Sequence, residues 1–223
     1  MKISDWLDAL DERTGWKSIK EHLFDRKIPE ANGWVAWLYT LGSACLFVFI
    51  LQAITGILLA MNYSASPDHA HNSIQYIRDN VTFGSLVRGI HHWGATLMVV
   101  VAFLHMGRVF FMGSYKYPRE GTWVAGVVLF LLVMGFGFTG YLLPWDQKAY
   151  WATQVGVHIA AQVPVMGPSI AKVMQGGDQL GVLTLSRFYA FHVLLLPALT
   201  ILILGVHLFL VVWHGISEPP VRK

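Results

Sequence analysis

The sequence predicts an all-α integral membrane protein built as a bundle of four transmembrane helices. Three observations carry that expectation. Of the 223 residues, 55% are hydrophobic and 13% are charged, where a soluble domain has about 25% charged residues. The mean hydropathy is +0.50. Four stretches, 34–62, 90–107, 122–145 and 188–214, contain no Asp, Glu, Lys or Arg, and each comes close to or exceeds the ~20 apolar residues that a spanning helix needs. The second stretch extends through Val109–Met112, because Arg108 at a helix end can snorkel to the interface.

The segments divide the chain into 1–33, a surface piece; 34–214, the four-helix domain; and 215–223, a tail. In the first piece Ile3, Trp6, Leu7 and Leu10 follow helical spacing among charged neighbours. They predict an amphipathic helix lying on the membrane surface. The piece is too charged for a signal peptide, so insertion is expected to rely on the first span. The loop 63–89 is polar with aromatic anchors. The loop 146–186 holds Pro164, Pro168 and Gly176-Gly177, and its length predicts short helices of its own. Eleven lysines and arginines flank the side that carries both termini and five flank the other, which predicts cytoplasmic termini in a bacterial cytoplasmic membrane. The net charge of +3 is modest and gives no sign of nucleic-acid binding. A single cysteine, Cys45, excludes an internal disulfide and any cysteine-ligated cluster within the chain.

Four histidines lie inside two of the spans. His91 and His105 are 14 residues apart, and His192 and His207 are 15 apart. At 1.5 Å per residue these gaps are about 21 and 22 Å; 14 residues fall about 40° short of four turns and 15 overshoot by about 60°. Each pair therefore shares one face of its helix at two depths. The two helices run antiparallel, so His91 pairs with His192 near the outer face and His105 with His207 near the inner face. Each pair can bracket one haem iron, and two axial imidazoles leave no open position, which fits electron transfer and not O2 binding. Gly42 and Gly56, and Gly126 and Gly140, repeat the spacing of 14 in the first and third spans. Glycine is costly in a helix and serves where something must approach the backbone; a flat macrocycle at two depths needs such gaps. The spans contain no carboxylate, which excludes a di-metal carboxylate site. Arg88 and Arg187 precede the outer ligands and can pair with haem propionates or serve as interfacial anchors. His92 reads as a polar interface contact, His22, His69, His71 and His158 as solvated loop residues, and His214 as an inner-end residue.

These residues sit in motifs that resemble a known family. RGIHHWGATLMVVVAFLHMGRVFF, FTGYLLPWDQKAYWA, SRFYAFHVLLLPA and HGISEPP are similar to cytochrome b of quinol:cytochrome c oxidoreductases, over essentially the whole chain. The length and the 15-residue gap resemble the short, split cytochrome b6 type; the long mitochondrial-type chain is one residue shorter there. The resemblance implies two haem b, quinol as substrate, and electron flow from an outer quinol site, one electron to a Rieske iron–sulfur protein and one through both haems to an inner quinone, coupled to proton translocation. It implies a quinol pocket at Gly140–Trp145, with Tyr141, Pro144 and Trp145, and around Tyr150, Trp151 and Val155. It implies a c-type cytochrome as acceptor, a dimeric complex, and a separate subunit carrying the C-terminal half with its glutamate motif. Thr40 stands where split members carry a cysteine bonded to an extra haem, so no covalent haem is expected. Val212 replaces a basic residue near the inner quinone, so that pocket is expected to differ.

Two other classes share parts of this pattern. A di-haem anchor for a dehydrogenase or hydrogenase uses the same bis-histidine logic, and a haem-free scaffold or transporter uses the same spans. GYLLPW and the long outer loop favour the quinol-oxidising reading.

Overall fold

The computed structural model describes Trp6 and residues 33–218. The expected surface helix around Ile3, Leu7 and Leu10, and the tail beyond Glu218, lie outside the described residues. Among those described, the regular structure is helical: α1 Trp34–Leu38, α2 Leu41–Ala60, α3 Ala70–Asn80, α4 Gly84–Phe111, α5 Glu120–Leu142, α6 Gln147–Ala161, α7 Gly167–Gln175, α8 Val182–Ala190, a π-helical turn Phe191–Leu195, and α9 Leu196–His214.

Among the described residues four helices are long and apolar enough to cross a bilayer: α2, α4, α5 and the continuous rod Val182–His214. Their side chains are exposed along most of their length, as at Phe47, Ile54, Ile57, Leu97, Phe103, Leu131, Ile201, Leu202 and Phe209. Such a surface is costly in water at roughly 25 cal/mol per Å2 and costs little against lipid tails, so the protein is an integral membrane protein. Helix α2 packs along α4, α5 packs along α9, and α4 touches α5.

Helix α4 begins at Gly84, six residues before the apolar run, because a helix need not stop where a charge (here Arg88) enters it. Gly84 is buried against the carbonyl of Ile77, a contact that leaves no room for a side chain. The first loop is more ordered than its polarity predicts. It forms α3, which buries Ala70 and Ile77, seven residues apart on one helical face.

The loops 63–83 and 143–181 cap one end of the bundle. There Ala70, Leu142, Leu185 and Phe188 are fully buried, with Tyr63, Phe138, Leu143, Trp145 and Met174 packed on them. Each large apolar side chain so buried contributes about 1.5–3 kcal/mol. The Tyr63 hydroxyl donates to the Leu143 carbonyl at 2.7 Å, and the ring stacks on Tyr189 at 5.4 Å. Burial, with Tyr189 alongside, pushes the Tyr63 phenol above its ordinary range, so it remains a neutral donor. The short helices expected in the second loop are α6 and α7. Asp146 caps α6, its carboxylate accepting from the Ala149 amide at 2.8 Å, a bond worth about 1 kcal/mol.

The opposite, terminal end is tied by polar contacts. Tyr39 Oη donates to the Ser217 carbonyl at 3.2 Å, and Arg119 Nε donates to the Gly215 carbonyl at 3.1 Å. Residues 215–217 are thereby fastened between the first span and the α4–α5 connection.

Candidate functional site

Each spaced glycine faces one histidine of the neighbouring helix. A Cβ added at Gly42 would lie 3.2 Å from His105 Cε1, one at Gly56 3.2 Å from His91 Cε1, one at Gly126 3.3 Å from His207 Cε1, and one at Gly140 2.7 Å from His192 Cε1. The missing side chains thus leave room for the imidazoles. The contacts also set the antiparallel register: His91 and His192 lie toward the capped end, His105 and His207 toward the terminal end.

The ring nitrogens are orientated from behind. Thr55 Oγ1 lies 2.9 Å from His91 Nδ1, and Thr139 Oγ1 lies 3.0 Å from His192 Nδ1. His207 Nδ1 lies 3.0 Å from the carbonyl of Thr122. A carbonyl only accepts, so His207 carries its proton on Nδ1 and presents a bare Nε2, the form that binds a metal. His105 Nδ1 is buried with no partner among the described residues.

The π turn Phe191–Leu195 holds His192. Its hydrogen bonds close i→i+5 instead of i→i+4, so it accommodates an extra residue. Pro197, in the first turn of α9, has no N–H to offer the carbonyl four residues earlier and favours the wider turn. The 15-residue gap from His192 to His207 therefore keeps the facing that 14 residues give His91 and His105.

At the capped end the His91 and His192 rings face each other with centroids 6.3 Å apart and planes 73° apart. Two imidazoles bound to opposite sides of one metal through bonds of about 2.0 Å have ring centres about 6 Å apart. At the terminal end His105 and His207 lie within electrostatic reach of one another. Among the described residues no cluster of three or more His, Cys, Asp or Glu forms. Two donors per level suit an iron whose other four ligands belong to a porphyrin. The residues present therefore fit haem.

The cations are arranged less simply than the sequence implied. Arg187 donates from Nη1 to the carbonyls of Lys172 (3.2 Å) and Val173 (2.6 Å), which clamps the C-terminus of α7. Arg108, read only as an interface anchor, lies with its guanidinium carbon 3.8 Å from the centre of the Tyr39 ring. Its Nε and Nη2 are buried with no hydrogen-bond partner among the described residues, which suits an anionic group. Thr55, Thr139 and Arg108 are the site residues that sequence reasoning missed. A Thr-Gly pair at the same depth in two spans was the available signal for the first two.

The family model for cytochrome b/b6/petB matches residues 27–215. The chain belongs to the cytochrome b/b6 family. It is 43% identical over 220 residues to the menaquinol:cytochrome c reductase cytochrome b subunit of Geobacillus thermodenitrificans, covering 98% of each chain. It is 44% identical over 215 residues to cytochrome b6 of Heliobacterium modesticaldum, covering 96% of this chain and 99% of that one. Among solved structures it matches a chain of a hyperthermophilic respiratory Complex III with TM-score 0.84 and 31% identity. That match covers 96% of this chain and 56% of the other, so the chain spans just over half of the Complex III chain.

In this cytochrome b the GYLLPW turn lies at the capped end. Helix α5 stops at Leu142, and Trp145 takes a left-handed conformation with φ 51°, which costs an L-residue roughly 1–2 kcal/mol. Its ring packs edge-on against Tyr150 at 5.8 Å, and both rest on Val157, Ala171 and Leu180. The six expected pocket residues divide between half-buried Pro144, Trp145 and Tyr150 and exposed Tyr141, Trp151 and Val155.

Proposed function

We propose that this chain is the di-haem b electron-transfer subunit of a quinol:cytochrome c (or similar acceptor) oxidoreductase. It oxidises quinol near the outer face and delivers electrons to an inner quinone site, coupled to proton translocation. The observation that carries the reading is the facing His91–His192 pair, each ring backed by a glycine and a hydrogen-bonded Nδ1, with the same arrangement of glycines repeated at His105 and His207.

Haem b bound between such a pair would supply a one-electron couple. His91 and His192 hold the outer group and His105 and His207 the inner one. Gly42, Gly56, Gly126 and Gly140 admit the four rings, and the apolar spans keep water out. Arg88 and Arg187 stand near the outer propionates and Arg108 near the inner ones. Tyr141, Pro144, Trp145, Tyr150, Trp151 and Val155 form the chain's share of the quinol pocket. The rest comes from a subunit with the C-terminal half of cytochrome b, which also supplies the acidic group for the quinol proton. The two sequence relatives named above are as short as this chain, which supports the split arrangement, whereas the Complex III chain is longer. A Rieske protein and a c-type cytochrome complete a dimeric complex with cytoplasmic termini. Thr40 offers no thiol for a covalent haem, and Val212 leaves the inner quinone without that cation.

Purification of the complex from membranes tests this reading. The chain is expected to co-purify with a Rieske protein and a second cytochrome b subunit, to support quinol-dependent cytochrome c reduction, and to show no haem stain once denatured. A molybdenum or nickel enzyme in place of the Rieske protein supports the anchor reading. A stained band at this chain's mass overturns the assignment of Thr40.

A further inference from the structure

We propose that Thr55 and Thr139 are positioning residues that set the reduction potential of the capped-end haem, each accepting the Nδ1–H of an axial histidine. The inference rests on the two-haem reading above and adds residues to it.

The hydrogen-bond directions follow from the partners. Thr55 Oγ1 donates to the carbonyl of Leu51 at 2.7 Å, and Thr139 Oγ1 donates to the carbonyl of Gly135 at 2.8 Å. Each hydroxyl has one proton, and a main-chain carbonyl one turn back has taken it. What faces His91 Nδ1 and His192 Nδ1 is therefore a lone pair, and the ring must be the donor. Both rings are thereby held in the tautomer whose Nε2 is bare. Thr55 and Thr139 are 4% and 7% exposed, so water does not compete for the bond.

The two levels differ. Thr55 and Thr139 each directly precede the glycine that faces the histidine, as Thr55-Gly56 and Thr139-Gly140. At the other level the residues before Gly42 and Gly126 are Leu41 and Ala125, which carry no hydroxyl. There His207 uses the Thr122 carbonyl and His105 Nδ1 has no partner among the described residues, whereas His91 and His192 have a threonine hydroxyl in addition to the main-chain carbonyls of Gln52 and Phe136. A hydrogen bond from the distal nitrogen makes an imidazole a stronger donor to its metal. Stronger donation favours the ferric over the ferrous state, so the two hydroxyls hold the capped-end haem at a lower potential than the same ligands give without them.

Valine keeps the branched shape of threonine and removes the acceptor. In purified complexes carrying Thr55→Val, Thr139→Val or both, redox titration of the b-haem absorbance is the measurement. The component lost in a His192→Ala complex is expected to become easier to reduce. Its equilibrium constant should shift several-fold per substitution, about 59 mV for each tenfold in a one-electron couple. The other component should stay in place. Thr55→Ser and Thr139→Ser keep the hydroxyl and are expected to restore the original value. A potential that does not move, equal movement of both haems, or serine variants that behave like valine would overturn the proposal. Where a valine variant fails to assemble, the alanine variant carries the same readout. A wild-type complex with fewer than two b-type haems per chain counts against the two-haem reading, whereas two haems with unmoved potentials count against this proposal alone.

Discussion

Replacing His207 by alanine is expected to remove one b-type haem and leave the other bound with its spectrum unchanged. His207 is held on the face of α9 by its Nδ1 bond to the Thr122 carbonyl, and alanine removes one of the two side chains proposed to hold the iron at that level. His105→Ala is expected to have the same effect. The pairing makes a sharper demand on double variants. In the proposed pairing His105 and His207 serve one group, so losing both is expected to remove no more than losing either, the non-additivity of residues that act as a unit. His105→Ala with His192→Ala crosses the levels and is expected to remove both haems. Haem content per chain, from the reduced-minus-oxidised spectrum, checks each variant. A His105/His207 double variant that loses both haems, or a crossed variant that keeps one, contradicts the pairing.

The second large effect is expected at Gly140. Alanine is favoured over glycine inside a helix by about 1 kcal/mol, so propensity alone predicts a gain. The Cβ, however, would lie 2.7 Å from His192 Cε1 and 3.2 Å from Nδ1, closer than real Cβ atoms approach carbon. The ring has little freedom to yield. It is held from behind by Thr139 and sits on the π turn. Overpacking of this kind costs about 1–3 kcal/mol and is borne by the ligand's position. Gly140→Ala is expected to lose or loosen the haem between His91 and His192, more severely than Gly126→Ala, whose Cβ would lie 3.3 Å from His207. Gly137, on the same helix, has nothing within 4 Å of an added Cβ. Gly137→Ala is expected to keep both haems. Haem retention during thermal titration of the three variants measures the order.

The parts legible in the sequence are those governed by helical period and by the bilayer. Long uncharged runs mark the spans because lipid tolerates no unpaired backbone or charge. Histidines and glycines 14 residues apart return near the same helical face, so the ladder and its glycines could be read before the helices were assembled. The purpose of the glycines was legible only in part, because spacing reveals a gap and not the side chain that enters it. The hydroxyls of Thr55 and Thr139 were hidden for a similar reason. A threonine in a helix usually bonds its own preceding turn, and its second bond depends on a residue from another helix. The π turn at His192 was masked because one inserted residue looks like a simple change of spacing. Arg187 sits near the outer ligand in sequence, yet it clamps the carbonyls of Lys172 and Val173, a contact that exists only once α7 folds beneath α8. Helix α3 was concealed by polarity: it buries only Ala70 and Ile77, too narrow a stripe to stand out in a charged loop.

The central claim is that four histidines hold two haems in two facing pairs. The most direct measurement is a redox-titrated difference spectrum of the purified complex, with haem extracted and counted against this chain. Two extractable b-type haems per chain are expected, titrating as two separate one-electron components. A single haem per chain, or a purified chain with no b-type absorbance, would contradict it.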